Sequence, residues 1–339
     1  MAEVKKIATR ESYGNALKEL GARNPRVVAI DADLAGSTKT AVFRNAFPDR
    51  HFNCGIAECN VMGTAAGMAA TGLIPYASTF AMFAAGRAYE IVRNSIGYPH
   101  LNVKIGATHG GISVGEDGAS HQCCEDIALM SVIPGMTVMS PADDVEARKM
   151  VFAAAELDGP CYIRFGRAAV PVFHDEDYDF QIGKGEILKE GSDVAIIANG
   201  VMTYEAIQAA EELEKDGIHA RVINIGTIKP IDEEIVLAAA RDCKKIVTCE
   251  EHSVIGGLGA AVAEVLEEKC PVPIRRIGVQ DKFGHSGAMK EVMEDFGLCA
   301  SNIVKQTKDL KSKYRRFSRP TSTAMHKKAS SKSGRSELL

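Results

Sequence analysis

The feature that most constrains the fold is a repeated alternation of short β-branched runs with amphipathic helical stretches. In the first half of the chain the candidate strands are VVAIDAD (27–33), NVKIGATHG (102–110), MTVMSP (136–141) and CYIRFG (161–166), with helical candidates near 11–22, 58–71, 80–97 and 143–157. Such alternation is typical of a mostly parallel sheet covered by helices on both faces. We therefore expect a doubly wound α/β domain over residues 1–166.

The alternation stops around 167–183, where a proline and an acidic cluster indicate a linker. It resumes with VAIIANG (194–200), RVINIG (221–226) and KIVTCEE (245–251), each followed by a helical stretch. A second, smaller doubly wound α/β domain is predicted over 184–311. Residues 312–339 are basic, rich in serine and poor in aliphatic side chains, which predicts a disordered basic tail.

Composition narrows the classes of partner. Among the 339 residues, 46% are hydrophobic and 25% charged, and the net charge is −4, so no bulk attraction to nucleic acid or to an anionic membrane is expected. The segment MAEVKKIATRESYG lacks the apolar core of a secretory signal, and we expect a cytoplasmic protein. The nine cysteines form no CxxC pair, which favours reduced thiols and argues against a metal site in this chain.

A glycine-rich loop, ATHGGISVGEDGASHQ (107–122), follows a predicted strand and carries His109, Glu116, Asp117 and His121. Ligands of open α/β sheets bind at the carboxyl ends of strands, where this loop should lie. Two histidines and two carboxylates can bind hydroxyl groups and move protons near neutral pH. A polar surface loop with ordinary histidines is the alternative interpretation.

Glu58 stands alone among apolar and small residues at the start of a helical run in FNCGIAECNVMGTAAGMAATGLIPYASTF (52–80). An isolated carboxyl group in such surroundings is suited to exchanging a proton with a ring nitrogen. The alternative is an ordinary glutamate at a helix N-terminus, where the helix dipole favours negative charge.

Together these segments resemble the transketolase family. The loop THGGISVGEDGASHQ is similar to its signature H-x-x-I-x-V-G-E-D-G-x-x-H-Q, IAECNVMGTAAGMA to the segment with its catalytic glutamate, and TFAMF to its T-F-x-x-F motif. The resemblance continues through MTVMSPAD, CYIRFGR, INIGTIKPID, CEEHSVIGGLGAAVAE and DKFGHSG, and covers about residues 5–311. It implies a pyrimidine-binding domain at 1–166 and a transketolase C-terminal domain at 184–311.

The resemblance implies a cofactor site for thiamine diphosphate. Glu58 matches the glutamate that hydrogen-bonds N1′ of the aminopyrimidine, while Phe80 and Phe83 match the aromatic wall beside that ring. Asp33 matches an aspartate of the cofactor-side loop. The family's next pocket aromatic would fall near Gly86, where this sequence has none.

The resemblance also implies a substrate site. His109 matches the histidine beside the reacting carbon, and Asp117 the carboxylate that reads a substrate hydroxyl. The contacts to a sugar phosphate match Arg10, Ser37, His121 and Arg164. The alignment of IRFGRAAVP with the family also permits a shift that would put Arg167 in place of Arg164.

The family's diphosphate and metal site has no counterpart in this sequence. That site uses G-D-G followed by N-N, and the nearest fragments, EDG (116–118), LDG (157–159) and KDG (215–217), lead to no such asparagines. The implied partner is a separate N-terminal transketolase subunit that holds the diphosphate and Mg²⁺ or another divalent cation, in an α2β2 assembly. The pair would transfer a two-carbon ketol unit from a ketose phosphate to an aldose phosphate.

Several alternatives remain open at the level of sequence. Phe80 and Phe83 could be ordinary core residues, Ser37 a helix N-cap, and Arg10 half of an ion pair. The glycines of IGGLGAAVAE resemble an anion-binding helix start, although a structural role is preferred. For the whole chain the alternatives are the β subunit of a 2-oxo-acid dehydrogenase, a relative of deoxyxylulose-phosphate synthase, and a non-catalytic scaffold.

Overall fold

The first domain is built on a parallel sheet, as predicted. The computed structural model describes residues 5–315. The strands up to the end of the predicted linker are β1 (Lys6–Ala8), β2 (Val27–Asp31), β3 (His51–Asn53), β4 (Ile74–Phe80), β5 (Lys104–Thr108), β6 (Thr137–Met139), β7 (Cys161–Arg164) and β8 (Ala169–Pro171). The order β6-β7-β5-β4-β2-β3 is parallel throughout. Strands β2, β4, β5 and β7 are buried along their whole length, which explains their continuous apolar sequences.

Helices cover both faces of this sheet. They are α1 (Thr9–Arg23), α2 (Ala35–Thr38), α3 (Ala41–Ala46), α4 (Glu58–Ala70), α5 (Tyr89–Ile91), α6 (Asp126–Ser131) and α7 (Asp144–Glu156), with 3-10 turns at Pro48–Arg50 and Ile112–Asp117 and π-helical turns at Phe83–Arg87 and Val92–Gly97. One core packs α4 against the sheet through Val61 and Met62, and the other packs α1 and α7 through Leu17 and Met150. The doubly wound α/β fold class is confirmed.

The second domain repeats the plan on a smaller scale. Its strands are β9 (Glu186–Lys189), β10 (Val194–Ala198), β11 (Ala220–Asn224), β12 (Thr227–Lys229), β13 (Ile246–Ser253) and β14 (Ile274–Val279), and its helices are α8 (Met202–Lys215), α9 (Glu233–Cys243), α10 (Leu258–Lys269), α11 (Met289–Asp295) and α12 (Ala300–Arg315). The sheet order is β14-β13-β10-β11-β9, with β9 antiparallel at the edge. None of the helices between residues 5 and 315 has the length and apolar character needed to span a bilayer.

The two domains share strands rather than meeting only through a linker. Strand β12 pairs antiparallel with β6 and extends the first sheet to seven strands. Within the predicted linker 167–183, β8 pairs with β1 near the N-terminus. Helix α12 continues to Arg315, four residues beyond the predicted domain boundary at 311. The rest of the predicted basic tail, 316–339, lies outside the described residues.

Candidate active site

The predicted site residues lie where the parallel strands of the first sheet end. Strand β4 ends at Phe80, which is paired in register with Thr108, the last residue of β5. Asp33 follows the end of β2, the next strand beyond β4. Because neighbouring parallel strands end at the same edge, this register brings Phe80 and His109 side by side.

Four aromatic rings form one cluster at this edge. The ring of Phe80 stacks on His109 with centroids 3.8 Å apart, and on Phe83 at 5.7 Å. His121 meets both phenylalanines edge-on, at 6.1 and 5.5 Å. Phe83 is only partly buried, so the two phenylalanines are more than core packing and present a ring wall beside the loop histidines.

His109 is held as a neutral ring in a defined tautomer. Its Nε2 lies 3.5 Å from Nη1 of Arg10, and its Nδ1 lies 2.9 Å from Oγ1 of Thr108. Because a guanidinium can only donate, Nε2 accepts and the ring proton sits on Nδ1, from which it is donated to Thr108. Burial, together with the charges of Arg10 and Arg167, lowers the pKa of His109 to about 3. The imidazole is therefore uncharged at neutral pH.

Glu58 is the first residue of α4, and only 4% of it is exposed. Its Oε2 lies 3.9 Å from Nε of Arg87, the last residue of the turn that begins at Phe83. This geometry places the carboxylate next to the end of the turn that begins at Phe83, beyond hydrogen-bond distance of that guanidinium. Two hydrogen bonds join Asp33 to Asn53, near the loop that precedes Glu58. The side chain of Asp33 accepts from Nδ2 of Asn53 at 2.9 Å, and the backbone N–H of Asp33 donates to Oδ1 of Asn53 at 3.0 Å.

A cationic end of the site is formed by Arg10 and Arg167. Nη1 of Arg10 donates to the backbone carbonyl of Ser37 at 3.0 Å. Burial and the charge of Arg167 lower the pKa of Arg10 despite the nearby carboxylates of Glu11 and Asp117. Two guanidinium groups and Asp117 therefore lie within electrostatic range of one another.

Ser37 lies inside α2 and therefore does not cap a helix start, which removes that alternative for its role. Its carbonyl rather than its side chain meets Arg10.

Arg164 occupies a different place from the one predicted for it. Its Nε donates to Oδ2 of Asp126 at 2.9 Å, and its Nη2 donates to the carbonyls of Cys123 at 3.0 Å and Glu251 at 2.8 Å. Only 6% of the residue is exposed. Its Nε and Nη2 are engaged by buried partners, and its Nη1 lies 3.9 Å from Oε2 of Glu251. Arg164 thus belongs to a buried network, and of the two predicted alternatives the structure favours Arg167 for a substrate phosphate.

Arg167 is the residue that faces the loop instead. Its Nη1 donates to Oε2 of Glu116 at 2.8 Å and to the carbonyl of Val114 at 3.0 Å, and about a third of its side chain (34%) is exposed.

The glycine-rich start of α10 is not free to bind an anion. The carboxylate of Glu250 accepts hydrogen bonds from the backbone N–H groups of Leu258 at 2.7 Å and Gly259 at 2.9 Å. The carboxyl group of Glu250 thus already satisfies these N–H groups. Within residues 5–315, no three His, Cys, Asp or Glu side chains are arranged to hold a metal ion.

Sequence reasoning did not find Thr108 or Arg87. Thr108 directly precedes His109, and a hydroxyl at a strand end next to a histidine is a signal that could have been used. Arg87 carries no comparable signal, because only the chain path brings it to Glu58.

The comparisons with known proteins agree with the fold. The family model for the transketolase pyrimidine binding domain matches residues 5–172, and that for the transketolase C-terminal domain matches 183–303. The chain therefore belongs to the transketolase family and carries these two of its domains.

Individual relatives sharpen this assignment. A solved structure described as a split gene transketolase, inactive beta4 tetramer, superposes with a TM-score of 0.85 at 54% identity, covering 90% of this chain and 99% of that one. A provisionally named transketolase C-terminal section from Methanocaldococcus jannaschii is 49% identical over 88% of this chain and 94% of its own length. A 6-deoxy-6-sulfo-D-fructose transketolase subunit from Clostridium sp. is 44% identical over 87% of this chain and 92% of its own length.

Proposed function

We propose that this chain is the C-terminal subunit of a two-chain transketolase. It would bind the aminopyrimidine of thiamine diphosphate, while a separate N-terminal subunit holds the diphosphate and a divalent cation in an α2β2 assembly. The observation that carries the proposal is the convergence of a buried carboxylate, an aromatic wall, a neutral histidine and two guanidinium groups at one sheet edge.

The residues fit the pyrimidine half of the cofactor. Phe80 and Phe83 offer parallel faces, with 18° between their planes, against which a flat heterocycle can pack. The carboxylate of Glu58, buried beside the turn that starts at Phe83, can exchange a proton with N1′ of that ring. When bound, thiamine diphosphate supplies an electron sink for the carbon–carbon bond that is broken and formed.

The remaining residues orient the sugar. His109, held neutral, can exchange the long 3.5 Å contact between its Nε2 lone pair and Arg10 for a hydrogen bond from a substrate hydroxyl near the reacting carbon, without adding charge there. The exposed carboxylate of Asp117 accepts a hydrogen bond from a hydroxyl further along the carbon chain of the sugar. Arg10 and Arg167 bind the anionic end, with His121 closing the edge of the pocket. Fixing both ends of the sugar aligns the carbonyl for transfer.

The substrate class that we propose is a ketose with a terminal anion. The relatives include the sulfofructose transketolase subunit described above and one of the subunits of an apulose-4-phosphate transketolase from Phocaeicola vulgatus, which is 39% identical. Phosphate and sulfonate are both oxyanions that a pair of guanidinium groups can bind. A ketose phosphate donor and an aldose phosphate acceptor are our first choice.

Reconstitution tests the proposal. The chain is purified alone and with an N-terminal subunit that carries GDG and NN motifs, each with thiamine diphosphate and Mg²⁺. Ketol transfer is then assayed with phosphorylated ketoses, a sulfonated ketose and hydroxypyruvate, and light scattering gives the stoichiometry. We expect activity only from the complex.

Two outcomes would contradict it. Sustained turnover by rigorously partner-free chain would remove the two-chain arrangement. A complex that decarboxylates pyruvate and ignores every sugar would replace the transketolase proposal with a 2-oxo-acid dehydrogenase β subunit.

A further inference from the structure

The loop that carries Asp117 and His121 belongs to the first domain by sequence, yet the second domain holds both of its ends. We call residues 111–124 the substrate loop. Near its start, the backbone N–H of Ser113 donates to Oε1 of Glu251 at 2.5 Å. At its end, the carbonyl of Cys124 accepts from the backbone N–H of Ser253 at 2.8 Å. Glu251 and Ser253 both lie on β13.

Gln122 makes a third connection, from inside the loop. Only 4% of the residue is exposed. Its Nε2 lies 3.2 Å from the carbonyl of Ile112, 3.3 Å from that of Gly115 and 3.0 Å from that of His285. One side-chain amide therefore joins two points of the substrate loop to a segment of the second domain that is 163 residues away.

Glycines on both sides allow the backbones to meet this closely. A Cβ at Gly115 would lie 3.1 Å from the carbonyl of Gly287, and a Cβ at Gly118 would lie 2.4 Å from Oγ of Ser286. On the opposite side, a Cβ at Gly284 would lie 1.8 Å from Oε1 of Gln122. Backbones that leave no room for a Cβ give the loop little freedom to shift independently of residues 284–287.

We propose that Gln122 is a positioning residue, through which residues 284–287 of the second domain fix Asp117 and His121 for substrate. The side-chain amide of Gln122 bonds to the carbonyl of Gly115, so the stretch of loop between these two residues is closed at both ends. Asp117 and His121 both lie within that stretch. The second domain would thus take part in substrate binding without touching substrate. This inference rests on the proposed function for its kinetic consequence, but its structural consequence can be tested separately.

The structural test is hydrogen–deuterium exchange on the wild-type chain and on Gln122→Met, which keeps the length of the side chain but removes the amide. We expect faster exchange confined to peptides from residues 111–124, with β5 and β10 unchanged. Gly284→Ala displaces the same amide from the other domain and should give the same local effect, so the test stays open if Gln122→Met does not fold. Wild-type exchange of the loop in a folded variant overturns the proposal.

The kinetic test uses the complex with the N-terminal subunit. A displacement of about 1 Å at a binding group can cost about 100-fold, so we expect the KM of phosphorylated sugars to rise by about 10- to 100-fold in Gln122→Met. Exchange of the C2 proton of thiamine diphosphate, which depends on Glu58, should be unchanged. The matched control is Gln280→Met, which should behave as wild type. Gln280 is exposed, and among the described contacts its Nε2 donates only to the carbonyl of Gly278, at 3.2 Å.

The outcomes separate the two proposals. A wild-type complex that transfers no ketol unit defeats the proposed function and leaves the exchange result standing. An active wild-type complex with an unchanged KM in Gln122→Met defeats the positioning role alone. A rise in KM accompanied by an equal loss of C2 exchange would also count against it, because the effect would then be general rather than confined to the substrate loop.

Discussion

Arg164 and Arg167 are three positions apart but lie in opposite surroundings. Arg164 ends β7 and points into the contact between domains, where its Nε donates to Asp126 and its Nη2 to the Glu251 carbonyl. Arg167 follows the strand and reaches back to the substrate loop at Glu116. Identical side chains at nearby places in a motif thus serve stability in one case and, as we propose, binding in the other.

Replacing each arginine by alanine should separate these roles. Loss of one charge-assisted phosphate contact costs about 1.5–3 kcal/mol, so Arg167→Ala should raise the KM of phosphorylated sugars about 10- to 150-fold in the complex. The KM of hydroxypyruvate, which has no phosphate, should stay near wild type. Arg148→Ala, at a surface arginine paired with Glu19, is the matched control.

Arg164→Ala should instead destabilise the chain. Removing one partner from a buried ion pair leaves Asp126 uncompensated and typically costs about 3–5 kcal/mol. Urea denaturation of the isolated chain measures this loss. A stable Arg164→Ala variant with a selective defect for phosphorylated sugars would restore the original assignment of Arg164 as the phosphate contact.

Glu58 is the residue on which cofactor activation depends in our proposal. Glu58→Gln keeps a hydrogen-bonding group next to N1′ but cannot exchange the proton, so turnover should fall by about 100- to 10,000-fold. The measurement is exchange of the C2 proton of the bound cofactor, followed by NMR in the complex. Glu90→Gln, at an exposed glutamate bonded to Asn94, serves as control, and an unchanged exchange rate in Glu58→Gln would refute the role.

At the scale of elements, the segment predicted as a linker is held to both domains by one histidine. The ring of His174 meets Oδ1 of Asp143 at 3.0 Å and Oε2 of Glu186 at 2.9 Å. Asp143 caps α7 through its bond to the Glu146 backbone, and Glu186 begins β9. The segment between the domains is therefore held by the ion pairs of His174 as well as by the pairing of β8 with β1.

This arrangement predicts a pH dependence of stability. Burial opposes the charge on His174, but hydrogen bonds to Asp143 and Glu186 outweigh it and raise its pKa from 6.5 to about 10. The folded state therefore holds the proton more tightly, and the stabilisation is fully present below about pH 6.5 and lost as the pH rises toward 10. Urea denaturation across this range should show the wild type losing more stability than His174→Gln.

Between about pH 6.5 and pH 10, we expect the difference in free energy of unfolding between wild type and His174→Gln to shrink by about 1.5–3 kcal/mol. This is the usual contribution of hydrogen bonds to a charged group. Parallel curves for wild type and His174→Gln would show that the ring is not charged in the folded state.

At the scale of the whole molecule, the two domains share a structural core. Strand β12 of the second domain extends the first sheet, and Arg164 bonds across to Glu251. The amide of Asn224 also donates to the buried carboxylate of Glu146 at 2.8 Å. Buried polar contacts of this kind are lost together when the domains separate.

The isolated chain should consequently unfold in a single transition. Because the sequence has no tryptophan, hydrogen–deuterium exchange at increasing urea is the suitable measurement. We expect β4 and β10 to lose protection at the same urea concentration. Two separate midpoints would mean that the shared strand and the buried bonds do not couple the domains.

The sequence by itself determined the fold class and much of the site. Buried parallel strands require continuous apolar runs, and their spacing by amphipathic stretches predicted both domains. The residues from Phe80 to His121 that form the ring cluster were also identified, through the resemblance of TFAMF and THGGISVGEDGASHQ to motifs of the family.

Only the tertiary structure decided which arginine faces the loop, how Arg10 sets the tautomer of His109, and that the second domain holds the substrate loop. Each of these depends on partners far away in sequence, such as Arg164 with Glu251 or Gln122 with His285. A local pattern reports which side chains are apolar or charged. Whether a charge is saturated or available depends on which distant groups the chain path brings within hydrogen-bond distance.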